Sequence, residues 1–297
     1  MKKIFSKSGI LVIFVIVVWC IWFWGLFSKY REVHKQNEDV LILDVLFVIA
    51  TLVVFLAIQM IVKKQMGIRF EKSNNIGTID KIFISLGLYA ICTFINLVFT
   101  VLKSFKPFKF LQGTPSNQER LNEQHLEDGL WHTLFVSGVN TPILEEIIFR
   151  GIFFVALYII LISIIKSTKK HTWTLLLNFG FIISTSIFFS YLHVNEKGNY
   201  QFIILFLPFA ITLAIVYLIT KNILYTMALH SLFNVQSTLN FFAKKNMVND
   251  SVIRVYIGII SLIIIFLLAY AFYLYFLRYK DLYIPLKEKV RNSFYGV

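Results

Sequence analysis

The sequence predicts an all-α fold, a polytopic transmembrane bundle of about eight helices, on three observations. Of its 297 residues 58% are hydrophobic, 31 are Phe, and the mean hydropathy is +0.73, well above the apolar share of a soluble domain. The apolar residues are gathered into charge-free runs long enough to cross about 30 Å of hydrocarbon at 1.5 Å per residue. A soluble fold of this size would alternate polar and apolar faces instead. No ten-residue alternation of a membrane barrel is present, and a bilayer otherwise accepts only helices.

The helices follow in chain order. Residues 9–27 form the first run, after Met1-Lys2-Lys3. It is too long for a signal peptide and is followed by Lys29-Tyr30-Arg31 rather than by small residues, so it reads as a retained span. Further runs cover residues 40–62, 82–102, 172–192, 202–220 and 255–277. Two runs are imperfect: residues 130–165 are interrupted by Glu145, Glu146 and Arg150, and residues 222–243 carry His230. The longest polar connection, residues 103–129, separates a three-helix front part, residues 1–129, from a central part, residues 130–245. Residues 246–297 add a last helix and a basic tail, and no internal repeat is visible.

A formal charge of +13 raises the question of nucleic acid, but Lys and Arg lie in short clusters between apolar runs rather than along one face. They read as topology signals and as contacts to anionic membrane lipid, and their bias places both termini in the cytoplasm of a multi-pass cell-membrane protein. No nucleic-acid partner is expected, and the oligomeric state is open. Cys20 and Cys92 have no metal-type spacing and read as packing residues.

Function is expected where charge enters the hydrocarbon. Each charge at the bilayer centre costs roughly 2.5–3.5 kcal/mol on insertion scales, so three within six residues need a reason. In Thr141-Pro142-Ile143-Leu144-Glu145-Glu146-Ile147-Ile148-Phe149-Arg150-Gly151, Glu146 and Arg150 are i, i+4 neighbours that can pair. Glu145 points about 100° away and is left without that partner, available as a base. A helix starting or breaking at Pro142 would turn its positive dipole end toward Glu145. The plain alternative is an ion pair that only fixes packing.

Two further motifs lie on other apolar runs. Phe189-Ser190-Tyr191-Leu192-His193 ends one of them, where a histidine also serves as a cap. In His230-Ser231-Leu232-Phe233-Asn234 the i, i+4 spacing puts an imidazole and a carboxamide on one face. Such a pair suits a carbonyl or oxyanion, and equally suits hydrogen bonding between membrane helices.

Taken in order, Glu145-Glu146-x-x-x-Arg150, Phe189-x-x-x-His193 and His230-x-x-x-Asn234 resemble the motif set of the CPBP family. That family includes type II CAAX prenyl endopeptidases, Abi proteins and bacteriocin-processing relatives; the resemblance covers about residues 130–240. It implies an intramembrane endopeptidase acting on a membrane-associated peptide or lipidated protein. By that resemblance Glu145 activates water with help from His193, His230 and Asn234 stabilise the oxyanion, and Glu146, Arg150 and Phe189 support the site. Members are also described as metalloproteases, which makes Glu145, His193 and His230 candidate zinc ligands. A His-Glu-x-x-His helix is absent, and Asn234 beside His230 favours the metal-free version. Some relatives act instead as noncatalytic immunity or adaptor proteins that bind a bacteriocin or signalling partner. A transporter would show paired Gly or Pro breaks in two related halves, which this sequence lacks. The charge bias puts the Glu145 and His193 half of the membrane outside, which favours an exported peptide over a prenylated protein as substrate.

Overall fold

The structure, a computed structural model, describes residues 76–113, 116–157, 170–194 and 200–249, with individual positions between 45 and 60 and between 251 and 273. The span expected over residues 9–27 and the basic tail lie outside the described residues. The runs at 40–62 and 255–277 are described only at individual positions, all of them helical. Among the described residues there is no strand, so the all-α fold is borne out.

Helix α1, Thr78–Leu102, buries Ser85, Tyr89 and Cys92. Their spacing of four and three puts them on one stripe. The opposite side exposes Ile91, Phe94 and Leu97, an apolar surface suited to lipid. Its polar side chains are satisfied inside the helix: Ser85 donates to Lys81 O, Thr93 to Tyr89 O and Thr100 to Asn96 O. The stretch after α1, expected as the longest polar connection, is largely helical. It contains a 3₁₀ turn, Lys106–Leu111, and helix α2, Ser116–Asp128. Strong helix formers and an i, i+4 bond from Gln118 to Asn122 at 3.0 Å explain α2, a polar helix that hydropathy alone passes over. Gly129, at φ 78, makes the bend into the next helix, a conformation that favours glycine.

Helix α3 is the one that carries the charged motif, and it is not uniform. It runs as an α segment Leu130–Phe135, a π segment Val136–Asn140, an α segment Thr141–Glu146 and a second π segment Ile147–Ile152. No helix starts at Pro142; the chain passes through the proline by widening the turn before it, so the expected dipole end beside Glu145 is absent. Each π segment holds a glycine where a neighbour comes close. A Cβ at Gly138 would stand 2.7 Å from Val235 Cγ2, and one at Gly151 would stand 2.5 Å from the Phe55 ring.

Helices α4 (Lys170–Val194) and α5 (Ile203–Thr220, after a 3₁₀ turn Tyr200–Phe202) form the most extensive pair. The Lys221 backbone at φ 52 ends α5, its N–H returning to Tyr217 O as a left-handed cap. Helix α6, Ile223–Lys244, opens on Asn222, whose side chain accepts from Leu224 N–H at 2.9 Å. By length and composition α1, residues Leu175–Val194 of α4, and Tyr200–Thr220 can cross a membrane. One core joins α1, α3, α4, α5 and α6 through Tyr89, Phe149, Phe189, Phe209 and Leu229. A second holds Phe154, Phe181 and Tyr217, with ring centroids 4.9–5.9 Å apart. Tyr89 also ties α1 to α6 by donating to Gln236 Oε1 at 2.7 Å.

Candidate active site

The site lies where α3, α4, α5 and α6 meet, and the motif residues expected from the sequence divide into two groups there. The first group is a closed knot around Glu146. Its Oε1 accepts from Arg150 Nη1 at 2.8 Å and from His230 Nδ1 at 2.9 Å. Both Glu146 and Arg150 are completely buried. Arg150 Nη2 donates onward to Ala210 O on α5 at 3.1 Å, so one guanidinium joins α3 to α5 while the carboxylate joins α3 to α6. The pairing of Glu146 with Arg150 follows from their spacing; the His230 contact, 84 residues away, does not.

The second group surrounds Glu145. Its Oε2 stands 3.8 Å from His193 Nε2 and 3.8 Å from His230 Nε2. Glu145 and His193 each keep about a quarter of their side-chain surface, 23% and 28%, whereas His230 keeps 2%. Glu145 Oε2 itself has no surface and no hydrogen bond. Both separations exceed a direct hydrogen bond, yet a water at ~2.8 Å from the two atoms of either pair would bridge that pair.

The tautomers follow from the partners. A backbone carbonyl only accepts, so the 2.8 Å contact between His193 Nδ1 and Phe189 O places the ring proton on Nδ1. Likewise His230 Nδ1 donates to the Glu146 carboxylate. Each ring is thereby oriented with its Nε2 toward Glu145. Phe189 holds the arrangement from below: fully buried, it stacks on His193 at 4.2 Å, meets His230 edge-on at 5.7 Å, and lies 5.1 Å from the Arg150 guanidinium. Phe206 and Phe209 close the other sides of His193 and His230.

Asn234 is placed differently from the other three. One turn beyond His230, it donates through Nδ2 to Ser137 O on α3 at 2.8 Å, leaving one amide hydrogen for another acceptor. Ser137 also meets His125 of α2 through its hydroxyl, at 3.3 Å. Neither Ser137 nor His125 was found by sequence reasoning, since nothing in their local pattern is distinctive. The Ala210 carbonyl was missed too, being main chain.

Among the described residues, no group of three or more His, Cys, Asp and Glu side chains is arranged to hold a metal ion. Donors sharing a tetrahedral zinc at 2.0–2.1 Å lie about 3.3 Å apart, closer than Glu145 stands to either imidazole. The zinc set Glu145, His193 and His230 does not fit as placed, and no step below runs through a metal.

Residues 127–236, which contain all seven motif side chains, match the family model of type II CAAX prenyl endopeptidase Rce1-like proteins. The match bears out the resemblance to the CPBP family carried by the three motifs. That region is thus similar to CAAX-type intramembrane endopeptidases, and its apolar helices make the chain a membrane protein. No curated protein and no solved structure gives a significant match.

Proposed function

We propose that the chain is an intramembrane endopeptidase in which Glu145 activates water against a peptide bond of a membrane-associated peptide. One observation carries the reading: a partly open carboxylate whose buried oxygen faces two imidazole Nε2 atoms, each 3.8 Å away. Both rings are held in that orientation by acceptors on their far side.

In this reading a water held between Glu145 and His193 gives its proton to the carboxylate as its oxygen attacks the scissile carbonyl. General-base assistance of this kind contributes typically 10²–10⁴-fold. The tetrahedral oxyanion is met by His230. In this step His230 acts as an imidazolium, with its Nδ1 proton on Glu146 and a proton on Nε2 aimed into the cavity; it donates to the oxyanion through Nε2 and keeps that proton throughout. The proton taken up by Glu145 then passes, directly or through His193, to the departing amine, and the peptide bond breaks without net charge remaining on the site. Glu146, Arg150 and Phe189 act on the reaction through the groups they hold. The charge bias of the loops favours a substrate reached from the outer face, an exported peptide in maturation or self-immunity.

The test compares the peptides released by cells carrying the natural chain and the Glu145→Gln form. The expected result is a set of peptides present only with the natural chain; identical sets at equal membrane expression would sink the proposal. An adaptor or immunity protein predicts instead that Glu145→Gln and His193→Ala both still protect the cell.

A further inference from the structure

Ser137 lies within the first widened turn of α3. There the Thr141 N–H reaches five residues back, to Val136 O. It is therefore lost to Ser137 O, its partner in an unbroken α-helix. The five-residue pattern would next offer Ser137 the N–H of residue 142, but that residue is proline and has none. The turn that carries the chain past Pro142 thus leaves Ser137 O without either of these helix donors, and a backbone group unpaired away from water is costly. The Asn234 amide fills the gap at 2.8 Å.

We propose that Asn234 is a positioning residue whose amide stands in for the missing proline N–H and holds open the widened turn that aims Glu145 at His193 and His230. This deepens the peptidase reading and rests on it. Two contacts support it. A Cβ on Gly138 would meet Val235, the neighbour of Asn234, at 2.7 Å, so α6 is seated on this same turn. The Ser137 hydroxyl is tied from the other side by His125 Nε2 at 3.3 Å, which links α2 to the turn as well. The residue type is also the one required: a carboxamide donates to a carbonyl, while a leucine of similar size cannot and an aspartate would set oxygen against oxygen.

The test is a double-mutant cycle on the full chain in detergent, read as thermal unfolding and as cleavage. Asn234→Leu lowers Tm by several degrees and kcat by about 10²-fold, the scale of a small misplacement of reacting groups, with KM unchanged. With P142A added, a backbone N–H is available near Ser137 O, and Asn234→Leu then costs little further Tm. An equal Tm cost in both backgrounds overturns the proposal, as does a loss of kcat without any change in Tm, which would put Asn234 on the substrate directly. If Asn234→Leu alone does not fold, recovery on adding P142A supports the proposal and continued failure overturns it. The Tm readings report on the Asn234 bond whether or not Glu145 proves to be the base, so failure of one reading is distinguishable from failure of the other.

Discussion

Glu145 and Glu146 are adjacent in the chain, and α3 delivers them to opposite kinds of surroundings. Glu146 is wholly buried and engaged by an arginine and an imidazole. Glu145 keeps 23% of its side-chain surface and stands just beyond bonding range of two imidazoles. The 100° step between neighbours on a helix is what separates them. A charge that is paired in hydrocarbon holds helices together; one left short of its partners is available to water and a proton. The comparison also shows how His230 belongs to both sides, with Nδ1 on the structural carboxylate and Nε2 facing the free one.

The largest effect is expected on the closed side. Arg150→Met leaves the buried Glu146 without its cation, and breaking a buried pair costs about 3–5 kcal/mol. Expression in the membrane and Tm should both fall sharply, checked by thermal unfolding of the purified chain. A variant of ordinary stability would show that the knot does not hold the bundle. On the open side, His193→Ala should lower cleavage by about 10²-fold while leaving Tm near that of the natural chain, because the ring is partly exposed and its Nδ1 bonds to a carbonyl of its own helix. Steady-state cleavage beside a melting curve separates the two effects.

A smaller effect is expected where α3 widens for the second time, just beyond Arg150. Gly151→Ala places a methyl 2.5 Å from the Phe55 ring, and overpacking of this kind costs typically about 1–3 kcal/mol. Adding Phe55→Leu should recover most of the lost Tm; no recovery would mean that the ring does not define the contact. The smallest effect is expected from chelation. Since Glu145, His193 and His230 are not spaced to share a metal, a strong chelator should leave cleavage unchanged, whereas loss restored by added zinc would replace water activation by Glu145 with a metal-bound one.

Much of this arrangement was legible in the residues. The charge-free runs located α1, α4 and α5 to within a few residues, since hydrocarbon forces length and apolarity on the sequence. Charges inside an apolar run marked α3, and the i, i+4 spacing of Glu146 and Arg150 predicted their bond. What stayed hidden depends on partners distant in the chain. The π segments carry the glycines that Val235 and Phe55 approach, Gly138 and Gly151, contacts that no local period encodes. Helix α2 was read as a polar connection because a helix with no apolar stripe gives hydropathy nothing to detect. The partner of Asn234 is a main-chain carbonyl, which has no residue type to recognise.

The most direct measurement sets Glu145→Gln beside Glu146→Gln, two substitutions of one atom each, and records both Tm and cleavage for each purified variant. A crossed pattern is predicted. Glu145→Gln should lose cleavage at unchanged Tm, and Glu146→Gln should lose Tm by leaving Arg150 buried without its counter-charge. Two variants that lose stability and cleavage in the same proportion would contradict the division of labour between the neighbouring carboxylates.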